Sequence, residues 1–232
     1  MKRKLVASLL ALACFEAFAM EKTESLYGAL MVDEFETSRE SGDDATAWDI
    51  AAMVGNELNK LWILSEGERV EDSMESHELR AYASRAVSPR WNLVAGWRGD
   101  IHPDPERNWF MVGLEGVAPF FVETKVLLFA GSENRSGLRV SLEKEMMLTQ
   151  RWQLVPEVEF EVHGHNDEET GTGSGLSSFE ASLRLGYEVT PRFLPYVGVS
   201  WGKGFGQTAD YLREEGEDTE SSMIMFGVRF WL

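Results

Sequence analysis

Three features of the chain predict an all-β fold, an outer-membrane transmembrane antiparallel β-barrel of about 12 strands. They are an N-terminal export signal, period-two alternation of apolar and polar residues, and connections that are by turns short and long. The signal occupies residues 1–19: Lys2, Arg3 and Lys4, an apolar run from Leu5 to Phe15, then Ala17-Phe18-Ala19 as a small-residue cleavage site. A short N-terminal segment, 20–26, leads into the barrel proper, 27–232. Export and the barrel pattern together place the protein in the cell outer membrane, against its lipid.

Twelve strand segments follow in order, at about 27–36, 46–54, 59–68, 75–86, 91–100, 108–117, 120–130, 138–148, 152–163, 178–189, 193–201 and 223–232. Most have the roughly 9–11 residues of a transmembrane β-strand. In 152–163 one face reads Trp152, Leu154, Pro156, Val158, Phe160, Val162, while the other carries Glu157, Glu159, Glu161 and His163. Every second connection is short, as at Gly55–Leu58, Val87–Arg90, Ala118–Pro119, Thr149–Arg151 and Thr190–Arg192. The others are longer and end with the acidic, Gly-rich stretches 164–177 and 202–222. An even strand count with this asymmetry puts both termini in the periplasm and the long loops outside.

Charge and cysteine content remove other classes. A net charge of −17 repels phosphate, so no nucleic-acid partner is expected. The single cysteine, Cys14, lies inside the signal, which excludes disulfide scaffolds, thiol enzymes and cysteine-ligated zinc in the mature chain. No G-x-S-x-G occurs, no histidine stands at a suggestive spacing from a serine, and the acids of 210–220 lack the order of a calcium loop. The chain reads as no enzyme.

Strand parity assigns fifteen acids to the lumen, among them Asp33, Asp49, Glu66, Glu143, Glu157, Glu159 and Glu161. It assigns seven bases: Lys60, Arg80, Arg98, Lys125, Arg139, Arg184 and Arg229. Such an interior favours cations, and at twelve strands it is narrow and partly filled by its own side chains. One residue, Lys144, falls on the lipid face. The turn at 149–151 sets Met147 opposite Gln153, Arg139 opposite Glu161, and Glu143 opposite Glu157. The last is a like-charge pair that an arginine or a bound cation must offset.

Several blocks are recognisable: Lys60-Leu-Trp-Ile-Leu-Ser-Glu-Gly-Glu-Arg69, Tyr82-Ala-Ser-Arg-Ala-Val-Ser-Pro89, Gly96-Trp-Arg-Gly-Asp100 and Thr208-Ala-Asp-Tyr-Leu-Arg-Glu-Glu-Gly-Glu-Asp218. They resemble the copper resistance protein B family, in order, from about residue 26 to the C-terminus. The resemblance implies an outer-membrane protein that binds copper ions, of either oxidation state, or moves them across that membrane. It also implies a periplasmic multicopper oxidase of the same operon as partner. Many members carry a Met- and His-rich stretch before the barrel; here Met20 to Leu26 contains no histidine, so copper chemistry falls to the barrel and its loops.

Copper(II) prefers imidazole and carboxylate, copper(I) thioether and imidazole. His163 and His165, beside the acids of 166–169, form one candidate pair. Met31, Met53, Met111, Met147 and Met225, all of lumen parity, form a candidate thioether relay, with packing against Trp62, Trp109 and Trp231 as the plain alternative. Glu143 and Glu157 are a candidate cation station. The functional alternative is a passive cation-selective porin for small solutes.

Overall fold

The computed structural model describes residues 25–40, 43–71 and 73–232; the expected signal sequence 1–19 lies outside the described residues. Thirteen strands run in chain order: β1 (Tyr27–Glu40), β2 (Asp43–Gly55), β3 (Asn59–Val70), β4 (Ser73–Ser88), β5 (Trp91–His102), β6 (Arg107–Ala118) and β7 (Val122–Gly131). Then come β8 (Ser136–Glu143), β9 (Met146–Met147), β10 (Trp152–His163), β11 (Gly175–Tyr187), β12 (Phe193–Gly204) and β13 (Glu220–Trp231). Each stave pairs antiparallel with the next, and β13 returns to β1. The short β9 and β8 both pair with β10, so they are one interrupted stave and the closed barrel has twelve. Closure leaves no sheet edge, as a bilayer requires, because an unpaired backbone group in hydrocarbon costs several kcal/mol.

The alternation expresses itself as two surfaces. Leu30, Phe35, Ile50, Leu61, Ile63, Ile224 and Phe226 are exposed on the outer wall, where lipid meets them. Arg80, Arg98, Arg139, Arg184 and Arg229 are each less than one-tenth exposed, packed inside the lumen.

Three local departures correct the sequence reading. A β-bulge between Val32 and Glu34 inserts one residue in β1, which flips the parity downstream. Glu34 and Glu36, which strict alternation from Asp33 would turn to the lipid, therefore point inward and meet Arg184. The stave expected over 138–148 breaks at Lys144–Glu145, opposite Pro156. Proline has no N–H to give the ladder, and only the Lys144 amide bond to the Pro156 carbonyl remains, at 3.1 Å. Finally, 202–222 is not an open loop. β12 runs on to Gly204, β13 begins at Glu220, and between them lies helix α1 (Gly206–Glu215), closed by Gly216 in the left-handed region.

Inside, β5, β6 and β7 contribute an apolar cluster of Val94, Trp109, Met111, Leu127 and Phe129. Gly227 makes room for another inward ring, since a Cβ there would stand 2.6 Å from the ring of Tyr196. That clearance lets the Tyr196 hydroxyl donate to Glu36 at 2.7 Å.

Candidate functional site

At the long-loop end, register gathers the histidines. His77 on β4 stands directly opposite His102 on β5, and His163 ends β10 with His165 two residues on. All four histidines of the chain line one cavity of about 230 Å³, with Asp100, Glu161 and Asp167 among them.

Each imidazole is held differently. Ser177 Oγ donates its hydrogen to the Glu161 carbonyl at 3.1 Å, so it can only accept from His163 Nδ1, 2.9 Å away. This leaves the lone pair of His163 on Nε2, the arrangement in which an imidazole ligates a metal. His77 Nε2 sits 3.2 Å from Ser65 Oγ, which also accepts from Trp48 Nε1. The four rings surround the entrance without converging: among the described residues no three His, Cys, Asp or Glu side chains form a metal cage.

The loop after β10 is strapped over this mouth. Arg107 grips both oxygens of Asp167 at 2.8 and 2.9 Å, and Arg135 adds a contact at 2.9 Å. The Arg107 hydrogen bonds hold the Asp167 carboxyl below the usual range. The Gly173 amide bonds Thr208 Oγ1 at 2.8 Å, tying the same loop to helix α1.

Below the mouth the lumen is crossed by arginines. Glu78 receives Arg80 at 2.9 Å, Arg98 at 2.8 Å and Arg139 at 3.0 Å. Arg184 binds Glu34, Glu36 and Glu157 at 2.5, 2.8 and 2.7 Å. Nearer the short turns, Arg229 meets Glu143 at 3.5 Å, Glu145 at 3.3 Å and the Asp33 carbonyl at 3.2 Å. The need for them is plain in the register. Glu34, Asp49, Glu66, Glu78 and Asp100 stand directly opposite one another along five successive strands. Opposed like charges destabilise a sheet by a few tenths to about 1 kcal/mol each, which the guanidinium groups offset.

Comparison with known proteins decides the family. The sequence model described as copper resistance protein B precursor matches residues 26–232. The chain belongs to the copper resistance protein B family. It is 37% identical over 201 residues to "Copper resistance protein B homolog" of Pseudomonas syringae pv. tomato, covering 87% of this chain and 68% of that protein. Over 202 residues it is 34% identical to "Copper resistance protein B" of Escherichia coli, with the same coverage of 87% and 68%. Among solved structures, the NanC porin superposes with a TM-score of 0.60 at 14% identity, covering 87% of this chain and 98% of that one. Outer membrane phospholipase A from Escherichia coli gives 0.50 at 12%, over 88% and 92%. At such identities these likenesses concern the fold, that of outer-membrane barrels, and with the family they point to the outer membrane.

In this copper resistance protein B family member the expected ligands fall into separate places. His163 and His165 do share a cavity, and they are joined there by His77 and His102, which sequence reasoning left unassigned. Counting back from the hairpin at Ser88–Trp91 would have paired those two. Met111 is fully buried in the Trp109–Phe129 cluster, the packing alternative to a relay position. Met225 is buried too, beside Gly198. Met31 and Met53 are diagonal neighbours near the short turns, facing Ala51 and Ala29 respectively. Met147 lies opposite Gln153 and is 55% exposed. Glu143 and Glu157 oppose each other as the register requires, and different arginines, Arg229 and Arg184, engage them.

Proposed function

We propose that this barrel serves copper resistance by taking copper ions at its long-loop mouth and binding them there or passing them into the acidic lumen. The observation that carries the reading is that all four histidines of the chain, with five carboxylates, line one vestibule. Imidazole and carboxylate are the donors copper(II) prefers. Family membership makes copper the natural cargo.

In this reading residues 1–19 are a cleaved signal, the long loops face outward and both termini face the periplasm. A periplasmic multicopper oxidase then meets the short-turn end, and the protein catalyses nothing itself. The second reading, a passive cation-selective porin, draws support from the porin fold and the excess of lumen acids. The buried arginines weigh against it, because they occupy the path an open pore would leave to water.

Calorimetric titration of the purified barrel with copper(II), in excess calcium and magnesium, separates the two. The copper reading requires binding that survives the competitors and weakens at least tenfold in the variant His77→Ala/His102→Ala/His163→Ala/His165→Ala. Binding that vanishes in calcium, or ignores the four substitutions, would leave the porin reading.

A further inference from the structure

Arg139 links two distant parts of the barrel wall. It sits on β8, where the register sets it opposite Glu161, and its Nε meets that carboxylate at 2.5 Å and Glu159 at 3.3 Å. Its other end crosses the lumen. The same guanidinium reaches Glu78 on β4 at 3.0 Å and stands 3.8 Å from Glu66 on β3, although β5, β6 and β7 separate β4 from β8 in the wall.

Two cavities meet at this bar. The histidine vestibule lies on one side, and on the other a cavity of about 110 Å³ holds Asp49, Glu157, Glu180 and Lys125. Among the described residues only Arg139 and Glu66 line both. Arg139 and Glu66 thus stand between them, beside Arg98, which meets Glu78 at 2.8 Å and lies 3.6 Å from Glu161.

We propose that Arg139 is a tethered cation that closes the lumen below the vestibule, and that a metal ion moving inward displaces it from its carboxylates. The guanidinium brings one delocalised charge on a long, rotatable stem. A divalent transition-metal ion brings two charges and coordinates carboxylate oxygen directly, so it can take Glu66, Glu78 or Glu159 from the arginine. Alkali ions, monovalent and weakly bound, leave the bar in place. A lumen lined with acid would otherwise admit any small cation, so selectivity follows from the internal competitor. The displacement step rests on the copper reading above; the closure does not.

Conductance in planar bilayers tests both. In potassium chloride without added metal, the native barrel conducts weakly. Arg139→Gln and the charge-balanced Arg139→Gln/Glu161→Gln conduct at least fivefold more, with a stronger preference for potassium over chloride. The double variant removes the cross-strand pair as a unit, and heat-modifiable gel mobility shows that both variants are folded. Folded variants with native conductance would overturn the closure. Micromolar copper(II) raises the native potassium current, whereas calcium at that concentration does not. Copper bound by calorimetry with no change in current would overturn the displacement. A barrel that binds no copper yet opens in Arg139→Gln would overturn the preceding section's reading and leave the closure standing.

Discussion

At the long-loop end the barrel presents imidazole and carboxylate: His77, His102, His163 and His165 around Asp100, Glu161 and Asp167. The short-turn end presents thioether instead, with Met31 opposite Trp231, Met53 opposite Trp62, and Met147 at the rim opposite Gln153. Met31 and Met53 fall on the same face of neighbouring strands in diagonal register, roughly 7–8 Å apart at the backbone. The donors therefore soften along the barrel, from those suited to copper(II) to those suited to copper(I). The middle belongs to neither. It is a zone of arginine–carboxylate pairs around Glu78 and Arg184. The two ends differ in build as well. The histidine end is capped by a strapped loop and helix α1, the methionine end by short turns alone.

This contrast can be broken in order of expected effect. The four-histidine variant is the largest lever, at least tenfold on copper(II) and much less on copper(I). Met31→Leu/Met53→Leu comes next. It should weaken copper(I) about threefold in competition with a copper(I) chelator and leave copper(II) unchanged; an equal loss of both would erase the distinction. The smallest effect concerns the strap. The folded carboxyl of Asp167 lies below its unfolded value, so its contribution is present above pH ~4 and is lost as pH falls through the lowered folded value. Asp167→Asn removes that contribution at neutral pH. Proteolysis within 164–174 should then quicken a few-fold while the turn at 149–151 is cut as before; unchanged cleavage would show that the strap rests on other contacts.

The barrel was legible because its rule is local. Alternation names a face for each residue, and short turns fix the register, so the pairs Met147–Gln153, Arg139–Glu161 and Glu143–Glu157 stand where counting places them. Counting fails where one residue is inserted. The bulge after Val32 reversed Glu34 and Glu36, and nothing in Val32-Asp33-Glu34 marks it, because two adjacent acids fit either face. Helix α1 escaped because its ten residues, Gly206–Glu215, are polar nearly all round, with Ala209 alone buried. The vestibule was half visible: His163 and His165 are neighbours in sequence, whereas His77 and His102 join them only once the wall is closed. The crossing pairs Arg139–Glu78 and Arg229–Glu143 were hidden for the same reason, since parity gives the face and never the partner across the lumen.

Copper entry among the histidines is the step on which everything else depends. Anomalous diffraction at the copper edge, from crystals of the barrel soaked in copper(II), locates the ion directly. A peak is expected in the vestibule, within coordination distance of His163 Nε2 and at least one of His77, His102 and His165. Copper found only at the methionines of the short-turn end, or on the outer surface, would contradict it.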